Sequence, residues 1–185
     1  GVDAGKGKYR TDIHENYYRI FAAHNTVISN GASASSGGWV NLGIEQLQRV
    51  DMEPMPGKRA VSPDHSFSTT RFHDIHNLVA PAEHERTLAV IRTSPTTGYY
   101  VDVFRARSDT AGQFHDYLYH NIGESLSFTE THGGFRLTPD PERFQASAGR
   151  PWKQNSRFRH PGWHFFEDVE SSAPTDSAVT ARFET

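Results

Sequence analysis

Histidine is the over-represented chemical residue of this chain, 11 in 185. Imidazole takes up a proton near neutral pH and, when neutral, binds transition metals. Histidines near a carboxylate are therefore the first chemistry to look for. Three histidines and one aspartate fall in stretches that read as β-strands or their ends. His24 opens His-Asn-Thr-Val, Asp74 closes a Thr- and Phe-rich run, and His115 and His120 lie in 113–121. Imidazole and carboxylate ligands from separate strands make a three-ligand site with an open fourth position, which Zn2+ accepts. Side chains alternate along a strand, so His115 points with Tyr117 and Tyr119, and His120 with Asp116 and Leu118. Only one of the two can share a face with His24, and spacing leaves the choice open. Ordinary surface or hydrogen-bonded histidines are the plainer reading of each taken singly.

Other chemistries are less well served. A two-His, one-carboxylate iron site of the cupin-like oxygenase kind would need His73 and Asp74 on one face. They are adjacent, so only a bulge could turn both inward. The His-Glu-x-x-His, Gly-rich phosphate-loop and Gly-x-Ser-x-Gly signatures are absent. Trp39, Trp152 and Trp163, with Tyr17, Tyr18, Tyr99 and Tyr100, offer flat faces for sugar rings, with core packing as the competing role. Arg150, Lys153, Arg157 and Arg159 could meet carboxylates or sulfates, with a solvated loop as the alternative.

The elements that must position these residues are short strands. The segment 1–19 reads as an extended entry. Val27 and Ile28 lead to an Asn30-Gly31 turn, and 32–38 is a small-residue loop. Trp39–Leu42 reads as a short strand, and Ile44–Met52 as helical turns or a strand. The pattern predicts strands at His65–Phe72, Glu85–Thr93, Tyr99–Arg107, Gln113–Asn121, Ser125–Thr131, Gly162–Val169 and Ser177–Phe183. The strand at 99–107 is the antiparallel partner of that at 85–93. The stretch 135–159 reads as irregular. Strands at close spacing, Gly/Pro turns between them and no long helix predict an all-β, antiparallel β-sandwich over residues 1–185. The last strand runs into Thr185, which suggests a sheet continued elsewhere.

Composition bounds the rest. Aromatics make up 12%, which argues against disorder, and the net charge of −3 comes without a like-charge block. That pattern gives no footprint for nucleic acid or an anionic membrane surface. No apolar run is long enough to span a membrane. Zero cysteines exclude a disulfide framework and a thiol nucleophile.

Residues Asp3-Ala4-Gly5, Tyr9, Tyr17-Tyr18-Arg19, His24-Asn25-Thr26-Val27, Arg86-Thr87-Leu88, Tyr100-Val101-Asp102-Val103-Phe104-Arg105, His115-Asp116-Tyr117 and His120 together resemble the heparinase II/III-like polysaccharide lyases. The resemblance covers roughly residues 3 to 123. It implies the β-sandwich part of a bacterial, periplasmic or secreted lyase that cleaves an anionic, uronic-acid polysaccharide by β-elimination. In that reading a base removes the proton next to the uronate carboxylate, the carboxylate is neutralised, and an acid protonates the leaving oxygen. It also implies that the chain is a fragment lacking an N-terminal α/α toroid, which carries the main catalytic groups, and further C-terminal strands. The sandwich would form a cleft wall and hold a structural Zn2+ through His24, Asp74 and His115, with His120 the alternative to His115. Tyr100 is implied as a cleft-facing, catalytic tyrosine. Where many members carry a second histidine this chain has Ala22: either the alignment shifts, or another residue such as Tyr18 or His14 serves, or the role is omitted. The alternative function is a non-catalytic carbohydrate-binding or structural sandwich domain.

Overall fold

A computed structural model of the chain describes residue 5 and residues 7–18, 21–29, 47–75, 80–145 and 165–184. It is an all-β, antiparallel sandwich. One layer is a four-stranded sheet in the order β2-β3-β4-β5, made of Gln48–Glu53, His65–Asp74, Ala82–Arg92 and Gly98–Ser108. Against it lies the ladder of β1 (Thr26–Ser29) and β6 (His115–Leu118). Two more pairs complete the described strands: β7 (Ser125–Glu130) with β10 (Val179–Glu184), and β8 (Thr138–Pro139) with β9 (Glu170–Ser171).

The β3-β4-β5 meander follows from local chemistry. Alternating Thr, Phe, Val and charged residues suit a pleated surface. Cross-strand partners then add specificity: Thr69 and Thr87 share a hydroxyl hydrogen bond of 2.8 Å, and Arg71 Nη2 donates to Glu85 at 2.8 Å. The β4–β5 turn is closed by Ser94, whose Oγ accepts from the Thr96 and Thr97 amides at 3.2 and 3.0 Å. Gly98 is required where this hairpin closes, because a Cβ there would stand 2.6 Å from the Ile91 carbonyl oxygen.

The apolar centre is small. Ala22 and Ile28 are fully buried, and Tyr17, Leu118, Phe144 and Phe166 pack around them. Separately, Tyr119 packs on Phe183 of β10, ring centroids 5.3 Å apart.

Two sequence expectations need correction, and one open alternative is decided. Residues 12–18 are helical rather than extended, and His14–Tyr18 forms a single π-helical turn. That turn tucks His14 inside and sets Tyr17 against Phe165 and Phe166, a tertiary gain the polar local sequence does not advertise. The predicted strand 162–169 is not one over its described part: 165–169 turn irregularly, with Asp168 at φ 51°, and pairing begins only at Glu170. The described part of Ile44–Met52 is strand β2, not helix. The Asn30-Gly31 turn, the 32–38 loop and the 39–42 strand lie outside the described residues. So do Trp152, Trp163 and the basic stretch at 150–159.

Candidate functional site

Alternation fixes which side chains of the main sheet look inward. Phe72 stands opposite His84 and Asp74 opposite Ala82, while His84 faces Ala106 and Arg86 faces Phe104 in β5. Phe72, Asp74, Ala82, His84, Arg86 and Phe104 therefore share the inner face, toward β1 and β6. Asp74, Ala82 and His84 are all buried there. Asp74 and His84 are diagonal neighbours across the ladder, roughly 7 Å apart between Cα atoms.

Ser29 joins the two layers. Its Oγ lies 2.9 Å from His84 Nε2 and 2.8 Å from His115 Nδ1. A hydroxyl can donate to one nitrogen and accept from the other, so one ring presents a lone pair and the other an N–H. His84 also sits between Phe72 and Phe104, edge to each, at centroid distances of 6.1 and 5.7 Å. Burial, aided by the neighbouring His115, pushes the His84 imidazole down to about 4, so it is neutral at physiological pH. The line His115–Ser29–His84 thus connects an exposed ring to a buried neutral one through a single hydroxyl.

A second polar node binds the start of β1. Arg86 donates from Nε and Nη2 to both Asp102 oxygens at 2.9 and 2.6 Å, and from Nη1 to the Asn25 carbonyl at 2.8 Å. Its guanidinium lies 5.6 Å from the Phe104 ring centroid. Next to it, Asn25 Oδ1 accepts from the His120 amide at 2.6 Å, and His120 Nε2 donates to the Ala22 carbonyl at 2.9 Å.

The structure separates the residues that the sequence grouped. Asp74 and His115 fall beside His84. His24 lies beyond the other end of the ladder, since Ser29 pairs with His115 and Thr26 with Leu118. Three strand steps, roughly 10 Å, already separate Thr26 from Ser29. His120, not His115, stands at the His24 end. Among the described residues no three His, Asp or Glu side chains are placed to hold one metal ion. His24, Asp74 and His115, the ligands that the resemblance implies for Zn2+, are not gathered in one such group among the described residues.

Tyr100 is 85% exposed and lies opposite Val90, six residues on from His84. That puts it roughly 20 Å from the His84 node on the same face. Arg105 and Arg107 point to the other face, where they stand 3.4 Å from Glu85 and 3.7 Å from Glu83. The Ala22 side chain is core, and Tyr18 lies on the π-helical turn. His14, on the same turn, is buried against Tyr9, its Nδ1 without a hydrogen-bond partner. A cavity of about 750 Å3 beside β9 is lined by Phe166, Glu167, Asp168 and Glu170. Its carboxylates give it the wrong sign for a polyanion.

Sequence reasoning missed His84 and Ser29. The available signal was the even spacing of Ala82, His84 and Arg86 on a strand whose neighbours place Phe72 and Phe104 on that face.

Compared with known proteins, the chain is 38% identical over 180 residues to an endo-acting ulvan lyase of Formosa agariphila. The match takes in 94% of this chain and 21% of that enzyme, so the chain spans about a fifth of its curated relative's length. No protein-family model matches the chain, and no solved structure matches it significantly.

Proposed function

We propose that this chain is the β-sandwich part of an exported polysaccharide lyase that cleaves ulvan, or a closely similar uronic-acid polysaccharide, by β-elimination. The observation that carries the reading is the 38% identity to an endo-acting ulvan lyase over nearly the whole chain. The all-β architecture and the heparinase II/III-like residue pattern accord with it. Export follows from the substrate: a polymer of this size is met outside the cytoplasm.

In this reading the sandwich is a scaffold and a cleft wall. The His115–Ser29–His84 and Arg86–Asp102 nodes hold β1 and β6 on the main sheet. The exposed phenol of Tyr100 stands on the uncovered end of the inner face, where it can reach a substrate. The base, the acid and the group that neutralises the uronate are not assembled around Tyr100 by the described residues. In this reading the groups that act together with Tyr100 lie elsewhere in the polypeptide.

A second reading, a non-catalytic carbohydrate-binding sandwich, rests on Tyr117 and Tyr119. Both are exposed and stacked, 6.5 Å between centroids, as a platform for sugar rings would be. The complete polypeptide carrying this chain, incubated with ulvan, separates the two. Growth of the ultraviolet absorbance of an unsaturated uronate supports the lyase. Retention on immobilised ulvan with no such product, under conditions where a known lyase forms it, replaces the lyase with the binding module.

A further inference from the structure

His115 bonds Ser29, whose hydroxyl reaches His84 of the main sheet, so this side of the β1–β6 ladder looks at the sheet. Tyr117 lies two residues on from His115 and shares that side. Tyr119 follows just past the strand, and its ring stacks on that of Tyr117 with 29° between the planes. The pair is braced, since Tyr119 also rests on Phe183. Yet the two residues stay 55% and 45% exposed, so much of the apolar ring area is left in water.

The Arg86–Asp102 pair adjoins the Tyr117 phenol. Burial raises this phenol above its ordinary range, Asp102 raises it further and Arg86 lowers it, as charges close by would. Arg86 spends three N–H groups on the two Asp102 oxygens and the Asn25 carbonyl. A guanidinium has five, so two remain without a protein partner among the described residues. Each Asp102 oxygen likewise keeps a lone pair. Both side chains are partly open to solvent, 28% and 26%.

These groups match a sugar. A pyranose ring has an apolar C–H face, which stacks on an aromatic ring, and a rim of hydroxyls. A hydroxyl can donate to a carboxylate while accepting from a guanidinium, so an Arg–Asp pair serves it on both counts. The pair has no net charge and its carboxylate repels anions, so it selects hydroxyls over a uronate carboxylate. Asp102 and Tyr100 are two residues apart on one side of β5, roughly 7 Å. That is comparable with the length of one sugar residue in a chain.

We propose that Tyr117, Tyr119 and the Arg86–Asp102 pair form a sugar subsite. It holds one ring of the polysaccharide by its apolar face and its hydroxyls, and leads the chain past Tyr100. The inference rests on the polysaccharide reading given above and adds the place and the mode of binding.

The test measures lyase kinetics on ulvan with the complete polypeptide and its Tyr117 variants. Tyr117→Ala is expected to raise KM by up to roughly tenfold, the scale of one aromatic stacking contact. The effect falls on KM rather than kcat, because the ring is bound alike before and during the reaction. Tyr117→Leu, which keeps bulk without a flat ring, should behave the same and reports on stacking if the alanine variant unfolds. Tyr117→Phe keeps the ring and should stay near the wild type. The ratio of variant to wild-type KM should be equal at low and high salt, since neither a ring face nor a hydroxyl is charged. An unchanged KM in the ring-less variants, a loss confined to kcat, or a ratio that shrinks with salt overturns the subsite. Retardation in a native gel containing ulvan is read on the same preparations. Wild-type product with an unchanged KM in the variants sinks the subsite alone. Retardation that the ring-less variants lose, with no product from the wild type, sinks the lyase alone. A wild type neither retarded nor active sinks both.

Discussion

Between about pH 7 and pH 4 the folded chain is expected to lose about 3 kcal/mol of stability at His84 alone. The magnitude follows from its surroundings. His84 is 5% exposed, edged by Phe72 and Phe104, and its imidazole falls from the ordinary 6.5 to about 4. Each unit is about 1.4 kcal/mol of preference for the neutral ring. The sign is fixed by which state takes the proton first. Below pH 6.5 the unfolded chain protonates this histidine while the folded one does not, so stability falls as the pH drops. The loss levels off once the pH is under the folded value near 4. Carboxylates add their own acid sensitivity, so the comparison is with His84→Gln, whose amide can still reach Ser29 but does not titrate. Urea unfolding at a series of pH values gives both curves. The wild type should drop by about 3 kcal/mol more than the variant over this window. Parallel curves would refute the reasoning, because they would mean that the imidazole is not held neutral by burial.

Four further outcomes are expected. Ile28→Ala removes the largest fully buried apolar side chain among the described residues and should lower stability by roughly 2–4 kcal/mol in urea unfolding; a change within error would place the core elsewhere. Arg86→Met, which leaves Asp102 and the Asn25 carbonyl without their donor, should cost roughly 2 kcal/mol, and Arg86→Lys should recover only part of it. Elemental analysis of His115→Ala should show the same zinc content as the wild type, since His115 bonds Ser29 and lies away from His24; loss of one equivalent would restore the ligand set His24, Asp74 and His115. Tyr100→Phe should leave the Tm unchanged, as the side chain is 85% exposed, and should lower kcat on ulvan by on the order of 10²-fold if the phenol transfers a proton. An unchanged kcat removes Tyr100 from the chemistry.

Much of the fold was legible from the letters. The strands β3, β4, β5, β7 and β10 fall where period-two alternation and turn residues put them, within a few residues at each end. Those signals are local: Ser94, Thr96 and Thr97 close their own turn. The helical turn at His14–Tyr18 was not legible, because Tyr17 gains its burial from Phe165 and Phe166, far along the chain. The described part of the predicted strand 162–169 shows the reverse: Phe165 and Phe166 pack on Tyr17 without pairing in a sheet.

The candidate site divides in the same way. The sequence alone supplied the residue types, with His24, Asp74 and one of His115 and His120 grouped as candidate metal ligands, and the resemblance to polysaccharide lyases rested on those letters too. Only the tertiary structure decided which of them meet. Ser29 reaches His84 across 55 residues of chain and His115 across 86, and the β1–β6 register sends His24 to the opposite end from His115. Alternation says that a side chain faces in, but a shift in register or a change in the reach of the second layer alters what it faces. Both are set by packing between distant segments.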